Sequence, residues 1–471
     1  MSFAEFSSEN TVSNEALHRL REATRGTRYE GNLYLVGGAL RDRALGLPHG
    51  ADLDLVLVGS AVELAEFLFH RGLSTHYPVL YPRFGTAMIH IACAGGTGVD
   101  VELVTARSES YTPDSRKPDV VPGTLEEDIF RRDFTINTLA ENLHSGELLD
   151  ITGRGMRDLL SGIIRTPVEP QVTFFDDPLR MLRAVRFAAR FEFEIEANTW
   201  ASIQREARRL APPQIAFERI REEFDKIALL PGPRFRKGME LLLSSGLMEM
   251  FLPEMLPMIG CTQGSWHQHD VWQHTLLALE YLPASAPLAA RLGLLWHDVG
   301  KPPTRTEDAA GVHFYGHPGV GAVMVRTIMN RLKFSNDEIR DTVAIVKQHM
   351  RLGEYRQEWD DPAVRRMIRD THGVLDSLFV VTGCDTAATQ MPEEKRPDLE
   401  ALQARVQALI SAVTIDSPLN GDEIMRLTGT GPGLHLKQAK EMLTNAVIDG
   451  RLQQTDVEGA AQMLLEWWAA R

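Results

Sequence analysis

Two aspartates separated by one leucine are the first feature of this 471-residue sequence that predicts chemistry. Asp52 and Asp54 lie at the start of an apolar run that continues through residues 55–58, and such a run predicts a buried strand. Residues two apart in a strand point to the same face, so the two carboxylates are expected to converge. Mg²⁺ prefers oxygen ligands of this kind and takes the rest of its shell from water and substrate phosphates. The pair therefore predicts a catalytic magnesium site, with solvated aspartates ahead of a strand as the alternative.

A third carboxylate is expected from the alternating apolar run 99–104. Asp100 and Glu102 lie two apart in this run, so they share one face of the predicted strand. Either residue can complete the magnesium site, and either can simply face solvent. The sequence leaves the choice between them open.

Two glycines just upstream predict a phosphate-binding turn. Gly37 and Gly38 join the apolar run 33–36 to a helical segment. Glycines at such a junction let the backbone approach a phosphate, and the following helix supplies unpaired N–H donors. An ordinary strand-to-helix turn explains the same residues equally well.

A charged segment follows at residues 126–137. The adjacent Arg131 and Arg132 can hold a triphosphate through forked donors. Asp133 and Asn137 are four residues apart, so on a helix they would share a face directed toward a ribose. A surface charge cluster is the alternative.

A helical segment further along predicts contacts with a base and with phosphates. Asp177 can accept a hydrogen bond from an exocyclic amine and Arg180 can donate to a ring nitrogen or carbonyl, so together they can imitate a Watson–Crick edge. A helix cap with a salt bridge is the other reading, and both can hold at once. Arg180, Arg183, Arg186 and Arg190 form a stripe expected to face triphosphate and RNA backbone, or else plain solvent.

A second group of metal-binding side chains occupies the middle of the chain. It combines histidines and carboxylates inside apolar helical segments, together with a lysine three residues after the His-Asp doublet. Imidazoles and carboxylates together bind transition metals, whose bound water becomes a nucleophile near neutral pH. The group consists of His274, His297, Asp298, His317, His349 and Asp385, with Lys301 as the lysine.

The pattern of apolar and polar residues along the sequence predicts which helices and strands position these groups. Short apolar runs separated by helical stretches predict a mixed α/β head, after which helical periodicity dominates, so the fold class expected is α+β. Breaks rich in proline and glycine suggest the domain boundaries. The predicted units are a helical extension at 1–30, the head at 31–165, a helical neck at 166–230, a body at 231–410 and a C-terminal helical tail at 411–471.

Composition limits the possible classes of protein. The net charge of −14 argues against non-specific coating of nucleic acid, although a local basic stripe is compatible with it. The three cysteines have no paired spacing, so neither a disulfide framework nor a cysteine zinc site is expected. The N-terminus lacks a signal-peptide pattern and no apolar run is long enough to span a membrane, which predicts a cytoplasmic protein.

The order of the head motifs resembles that of the class II tRNA nucleotidyltransferases, the CCA-adding family. The resemblance rests on residues 37–42, 52–54 and 131–133 and on the acidic pair with arginine at 176–180. It implies a polymerase-β-like catalytic head with Asp52 and Asp54 as Mg²⁺ ligands, CTP and ATP as substrates, and transfer RNA as the acceptor. It also implies that Asp177 and Arg180 select C and A without a nucleic-acid template. The nucleotide-binding residues implied are Gly37, Gly38, Arg41, Arg131, Arg132, Asp133, Asn137, Asp177, Arg180, Arg183 and Arg186.

The histidine group is similar to the HD phosphohydrolase superfamily. That resemblance implies a Ni²⁺, Mn²⁺ or similar ion on His274, His297, Asp298 and Asp385, with His317 and His349 as ligands of a second metal and Lys301 contacting phosphate. It also implies hydrolysis of 2′,3′-cyclic phosphates or 2′-phosphates, with a degenerate, structural HD fold as the alternative. The C-terminal tail resembles that of tRNA nucleotidyltransferases that contain an HD domain. It is expected to bind the elbow side of tRNA.

Other functions are compatible with parts of this sequence. A bacterial poly(A) polymerase shares the head, but usually lacks an HD domain and carries a basic extension. A protein-modifying uridylyltransferase would lack the pair Asp177 and Arg180, and a non-catalytic tRNA-binding protein would not need intact carboxylates in both sites. Within the family, addition of CCA, of CC or of the final A remains open. Asp114 and Arg116 resemble the flexible-loop hinge of complete or A-adding enzymes, which favours these over CC-only addition.

Overall fold

A computed structural model describes residues 11–48, 53–74, 76–94, 97–110, 119–264, 268–371, 373–412 and 417–470. The chain divides into two compact units. The first spans Met1–Leu230 and Lys237–Pro253, and the second spans Pro231–Arg236 and Glu254–Arg471. Among the described residues, no helix combines the length and apolarity needed to cross a bilayer.

A mixed sheet forms the centre of the first unit. Its seven described strands are arranged in the order β3-β4-β5-β2-β1-β8-β9, and β6 pairs with β7 in a separate hairpin. Only β2 and β5 are parallel among the neighbouring pairs of the large sheet. The strands are β1 Leu33–Val36, β2 Leu53–Leu57, β3 Val79–Tyr81, β4 Thr86–Ala92, β5 Gly98–Thr105, β6 Arg107–Ser110, β7 Asp119–Pro122, β8 Leu139–Asn142 and β9 Leu148–Asp150.

Alternation along β5 explains why the sheet has two unlike faces. Val99, Val101 and Leu103 are buried on one face, whereas Asp100 and Glu102 are exposed on the other. Helices α1 (Thr11–Thr24) and α3 (Ala61–His70) pack on the strands of the sheet, and α3 begins at a Ser60 cap. The face that carries Glu102 is called the carboxylate face below.

Further helices complete the first unit. Two residues of the neck form a short parallel pair with the end of the head, β10 (Ile163–Ile164) with β11 (Glu194–Ile195). The amphipathic helix α7 packs against α9 and buries Leu182, Val185 and Ala189. The helices that follow α1 as far as residue 253, apart from α3, are α2 Gly38–Ala44, α4 Leu125–Phe130, α5 Gly155–Leu160, α6 Pro170–Asp176, α7 Leu179–Phe191, α8 Ala197–Glu206, α9 Phe217–Ala228, α10 Gly232–Ser244 and α11 Met248–Phe251. The first residues of α10, 232–236, are assigned to the second unit.

The described residues of the second unit are helical apart from a small hairpin, β12 (Thr306–Asp308) with β13 (Gly311–His313). Helices α13 and α16 approach closely, because a Cβ placed on Gly293 would lie 2.5 Å from Ile345. The last three helices share a small apolar core of their own. The helices are α12 Val271–Glu280, α13 Leu288–Trp296, α14 Lys301–Thr304, α15 His317–Arg331, α16 Asn336–Gln348, α17 Asp361–Asp370, α18 Leu375–Ala387, α19 Leu399–Ala412, α20 Gly421–Thr428, α21 Leu434–Ile448 and α22 Val457–Ala469.

The expected α+β class, with a mixed-sheet head followed by helices, is confirmed. The strands expected at residues 33–36 and 53–58 are observed as β1 and β2. The neck and body are not purely helical, since β11 and the hairpin of β12 and β13 interrupt them. These strands are two or three residues long, too short to produce a period-two pattern.

Candidate active site and metal centre

The register of the sheet brings two carboxylates together on the carboxylate face. Asp54 of β2 is directly opposite Glu102 of the parallel strand β5, so their side chains leave the same face about one strand spacing, roughly 4.8 Å, apart. Asp54 is half-buried and Glu102 is exposed. Asp52, the predicted partner of Asp54, lies outside the described residues.

Glu102 and Asp100 have different environments, which separates the two candidates for the third carboxylate. Although Glu102 is exposed, partial desolvation of its carboxyl group and the neighbouring charge of Asp54 raise its pKa, while Arg107 opposes them. Asp100 is instead exposed, and its carboxylate lies 2.8 Å from Nδ1 of His90. This pair is two residues along the strands from the pair of Glu102 and Met88. The repulsion between Asp54 and Glu102 is of the kind that a divalent cation relieves, so these carboxylates fit a Mg²⁺ ion.

The glycine turn touches the same point. Gly37 has φ 75°, a left-handed conformation that favours glycine, and caps α2. A Cβ placed on Gly37 would lie 3.2 Å from Oδ2 of Asp54 and 3.8 Å from Nη1 of Arg132. One on Gly38 would meet Nη2 of Arg41 at 3.5 Å. The turn between β1 and α2 thus lies close to the carboxylate of Asp54 and to the guanidinium groups of Arg132 and Arg41.

Arg131 and Arg132 are both oriented by one buried carboxylate, Asp128 of α4. Nη2 of Arg131 donates to Oδ1 of Asp128 at 2.6 Å, and Nη2 of Arg132 donates to Oδ2 at 3.0 Å. The side chain of Asp128 is fully buried. Sequence reasoning missed this residue, although its spacing of three and four from the two arginines on a helix was a readable signal.

Asp133 and Asn137 meet by a different geometry from the one expected. They are not on an α-helical face, because residues 135–137 form a 3-10 turn, and Nδ2 of Asn137 donates directly to Oδ1 of Asp133 at 2.9 Å. Arg183 donates to Oδ2 of Asp133 through Nε at 2.9 Å. Burial alone would raise the pKa of Asp133, but the charge of Arg183 and these hydrogen bonds lower it to about 2.

Arg41 is an internal residue rather than an exposed phosphate ligand. It is 5% exposed, donates to Asp42 at 2.7 Å and to Oδ1 of Asn137 at 2.8 Å, and lies against the rings of Phe187 and Phe191. Its nucleotide-binding role remains a prediction. The contacts show that it fixes the side chain of Asn137.

The arginine stripe of α7 does not form a single solvent-facing surface. Arg183 bonds to Asp133, Arg190 bonds to Asp42 at 3.1 Å, and Arg186 bonds to Glu223 of α9 at 2.6 Å. Arg186 is buried, and Glu223 has its pKa lowered because the charges of Arg186 and Arg183 outweigh its burial. Arg186 is therefore held inside by its ion pair, and the expectation that it and the other three arginines face phosphate remains a prediction.

Asp177 and Arg180 each have a specific partner. Asp177 caps α7 by accepting from the backbone of Leu179 at 3.1 Å, and it pairs with Arg219 of α9 at 2.9 Å. Nη2 of Arg180 donates to the carbonyl oxygen of Arg131 at 2.7 Å. The helix cap seen in the sequence is present, and Arg219 is a further residue whose importance the sequence did not reveal.

The six side chains of the predicted HD group converge in the second unit, and they are called the HD cluster below. Their coordinating atoms form two sets, His274, His297 and Asp385, and Asp298, His317 and His349, each with its atoms within 4.8 Å of one another. Nε2 of His317 and Nε2 of His349 are 3.3 Å apart. All are buried except Asp385, which is half-buried.

Backbone carbonyls fix how three of the imidazoles are oriented. Nδ1 of His297, His317 and His349 lies 2.7 to 2.9 Å from the carbonyl oxygen three residues earlier in each case. A carbonyl only accepts, so Nδ1 carries the hydrogen and Nε2 of the neutral ring keeps its lone pair. All three Nε2 atoms therefore point into the cluster as metal ligands would.

The electrostatics of the HD cluster also fit a cation. Burial alone would lower the pKa of His297, but Asp298 and Asp385 outweigh it and raise the pKa to about 10. Nε2 of His297 is buried and lies 3.2 Å from Oδ2 of Asp298 and 3.6 Å from Oδ1 of Asp385. Nζ of Lys301 lies 2.6 Å from both Asp298 and Gln263, and its contact with phosphate remains a prediction. Nickel or manganese suits this mixed nitrogen and oxygen donor set.

The hinge residues Asp114 and Arg116 lie outside the described residues. The described ends of that segment are β6 and β7, which pair with each other.

Three family models match separate stretches of the chain. Residues 33–165 match the family described as "Poly A polymerase head domain", residues 192–259 match "Probable RNA and SrmB- binding site of polymerase A", and residues 267–403 match the HD domain. A CC-adding tRNA nucleotidyltransferase of Thermus thermophilus is 32% identical over 445 residues, which cover 93% of this chain and 94% of that protein. An A-adding tRNA nucleotidyltransferase of Deinococcus radiodurans is 32% identical over 364 residues, 74% of this chain and 80% of that protein.

A solved structure shows the same fold along the chain. The Bacillus stearothermophilus CCA-adding enzyme in complex with CTP matches with a TM-score of 0.69 at 22% identity, covering 98% of this chain and 99% of that one. The head fold and the matched domains thus define a nucleotidyltransferase that carries an HD domain. The chain belongs to the tRNA nucleotidyltransferase family, the family of CC-adding, A-adding and CCA-adding enzymes.

Proposed function

We propose that this protein transfers C, A or both from CTP and ATP to the 3′ end of tRNA, with Asp54, Glu102 and Asp52 as the carboxylates of the head site. The observation that carries the proposal is the register that places Asp54 opposite Glu102, beside Gly37 and Arg132. Solved relatives named as CCA-adding enzymes are complexed with CTP, with ATP and with tRNA.

In this proposal the 3′ oxygen of tRNA attacks the α-phosphorus of the nucleotide. The new oxygen–phosphorus bond forms as the bond to the bridging oxygen breaks, pyrophosphate leaves with the electron pair, and the hydroxyl proton is released to solvent. Asp54 and Glu102 would hold Mg²⁺, which supplies charge neutralisation for the attacking and leaving oxygens. Catalysis by this chain is otherwise a matter of positioning.

The residues around the turn would bind the triphosphate. Gly37 allows close approach of the backbone, and Arg132, oriented by Asp128, presents its guanidinium at the same point. Arg180 donates to the backbone carbonyl of Arg131, and this contact supports a base-reading role for Arg180 next to this cradle. The carboxylate of Asp177 and the guanidinium of Arg180 then select the base of the incoming nucleotide.

The experiment is incorporation of labelled CTP and ATP into tRNA transcripts. Transcripts ending before the first C, after the second C, and complete are each incubated with one nucleotide, and the products are sized. Wild-type protein should extend at least one of the incomplete transcripts, and Asp54→Asn should extend none. The product lengths assign CC, A or full CCA addition. Incorporation by Asp54→Asn at the wild-type rate would refute the proposed site.

A second activity is favoured by the HD cluster. Because the Nε2 atoms of His297, His317 and His349 converge with two carboxylates, we propose a metal-dependent phosphohydrolase that acts on 2′,3′-cyclic phosphates or 2′-phosphates. A metal ion there would supply a hydroxide at neutral pH. Hydrolysis of 2′,3′-cyclic AMP with added Ni²⁺ or Mn²⁺ tests it. Activity should be lost in His297→Ala and retained in Asp54→Asn, and activity retained in His297→Ala would refute it.

A further inference from the structure

A row of exposed apolar side chains continues the carboxylate face beyond the proposed catalytic residues. The pairing register runs from Asp54 to Glu102, then to Met88 of β4 and to Val79 of the edge strand β3. Residues paired across neighbouring strands point to the same face, so all four side chains share it. Met88 and Val79 are 42% and 51% exposed, and Tyr81, two residues after Val79 on the same face, is 48% exposed.

These positions differ from the part of that face near β1, which is covered. Nearer to β1, Val36 and Val56 are buried in a cluster with Ile129 of α4. Met88 and Val79, by contrast, place apolar surface in solvent directly beside an acidic residue. Large exposed apolar patches on a sheet mark binding surfaces more often than structural ones.

The geometry of an in-line displacement indicates which substrate would lie on this apolar surface. The attacking oxygen and the leaving pyrophosphate must be on opposite sides of the α-phosphorus. Gly37 and Arg132 lie on the β1 side of Asp54, so the triphosphate occupies that side. The attacking hydroxyl therefore comes from the β5 side, over Glu102 and toward Met88.

We propose that Val79, Tyr81 and Met88 form a platform for the terminal nucleoside of the tRNA acceptor end, and that the platform positions its 3′-hydroxyl. This inference rests on the proposed function. The base and ribose of a nucleoside are uncharged, which suits the apolar surface beside Glu102. Arg83, exposed just after Tyr81, supplies a cation for the phosphate that links this nucleoside to the rest of the RNA.

The platform residues are positioning residues, so their loss should affect tRNA and not the nucleotide. Stacking of one base on an aromatic side chain changes affinity by about tenfold or more. Tyr81→Ala and Met88→Ser should each lower kcat/KM for tRNA by about tenfold, while the KM values for CTP and ATP stay at wild type. The control is Leu160→Ser, which removes an apolar side chain that is 70% exposed on α5 of the same unit and should leave both values unchanged.

A cross-linking measurement on the unmodified protein gives a second test. A tRNA transcript whose terminal nucleoside is 4-thiouridine is irradiated in complex with the full chain, and the attached peptide is identified. Attachment to residues 79–88 supports the platform. Attachment elsewhere, or wild-type kinetics in both platform variants of an active enzyme, would overturn the platform alone. A wild-type protein that adds no nucleotide would overturn the proposed function and the platform with it.

Discussion

Replacement of Asp133 by asparagine should destabilise the junction between the head and α7. The carboxylate of Asp133 accepts from Arg183, from Asn137 and from the backbone of Phe134, and it is 8% exposed. The amide of asparagine keeps one acceptor oxygen but loses the charge. Arg183 would then lose its 2.7 Å ion pair and keep only Glu223, 3.6 Å away.

The magnitude follows from the pKa of Asp133. Its fall from 3.8 to about 2 corresponds to about 2 kcal/mol of extra stability for the ionised, folded state. Because the folded pKa is the lower one, this contribution is present above about pH 4 and is lost as the pH falls toward 2. Asp133→Asn should therefore lose about 2 kcal/mol at pH 7 and less at pH 3.

Urea unfolding at pH 7 and pH 3, followed by hydrogen exchange of the amides of α7, measures this difference. The matched control is Glu147→Gln, an exposed carboxylate in the turn before β9, which should unfold like wild type at both pH values. Equal stability of Asp133→Asn and wild type at pH 7 would refute the reasoning, as would a difference that grows toward low pH.

Three further predictions concern individual side chains. Glu102→Gln should lower kcat of nucleotide addition by about 100-fold or more, whereas the kcat of Asp100→Asn should stay near the wild-type value. Equal losses of kcat in the two variants would reject Glu102 as the third carboxylate. Arg219→Ala should raise misincorporation of UTP and GTP by about tenfold, because the substitution leaves the carboxylate of Asp177 without its partner Arg219. Unchanged fidelity in single-nucleotide assays would show that Arg219 does not help to orient Asp177. His349→Ala should weaken binding of Mn²⁺ or Ni²⁺ by more than about tenfold in metal analysis of the purified protein, and undiminished metal content would show that the ring is not a ligand.

The sequence predicted the head strands well because their apolar runs are periodic and bounded by glycines. β1 begins and ends at the predicted residues, and Asp54 lies on β2 as expected. The HD cluster was also predictable, since few core helices contain so many histidines and carboxylates without a metal. Both predictions use residue type and local spacing, which a sequence displays directly.

Pairings between distant elements could not be predicted in this way. The choice of Glu102 over Asp100 depends on the register of β2 against β5, and the sequence of either strand alone does not contain it. Similarly, the burial of Arg186 depends on Glu223, which lies 37 residues away on another helix. The position of Arg41 against two phenylalanine rings is another contact of this long-range kind.

The most direct test of the head site is a crystal structure with Mn²⁺ and a non-hydrolysable CTP analogue, with manganese located by its anomalous signal. We expect a manganese peak within coordination distance of Asp54, Glu102 and the α-phosphate, with the triphosphate against Gly37 and Arg132. A nucleotide bound away from these residues, or manganese that contacts neither carboxylate, would contradict this expectation.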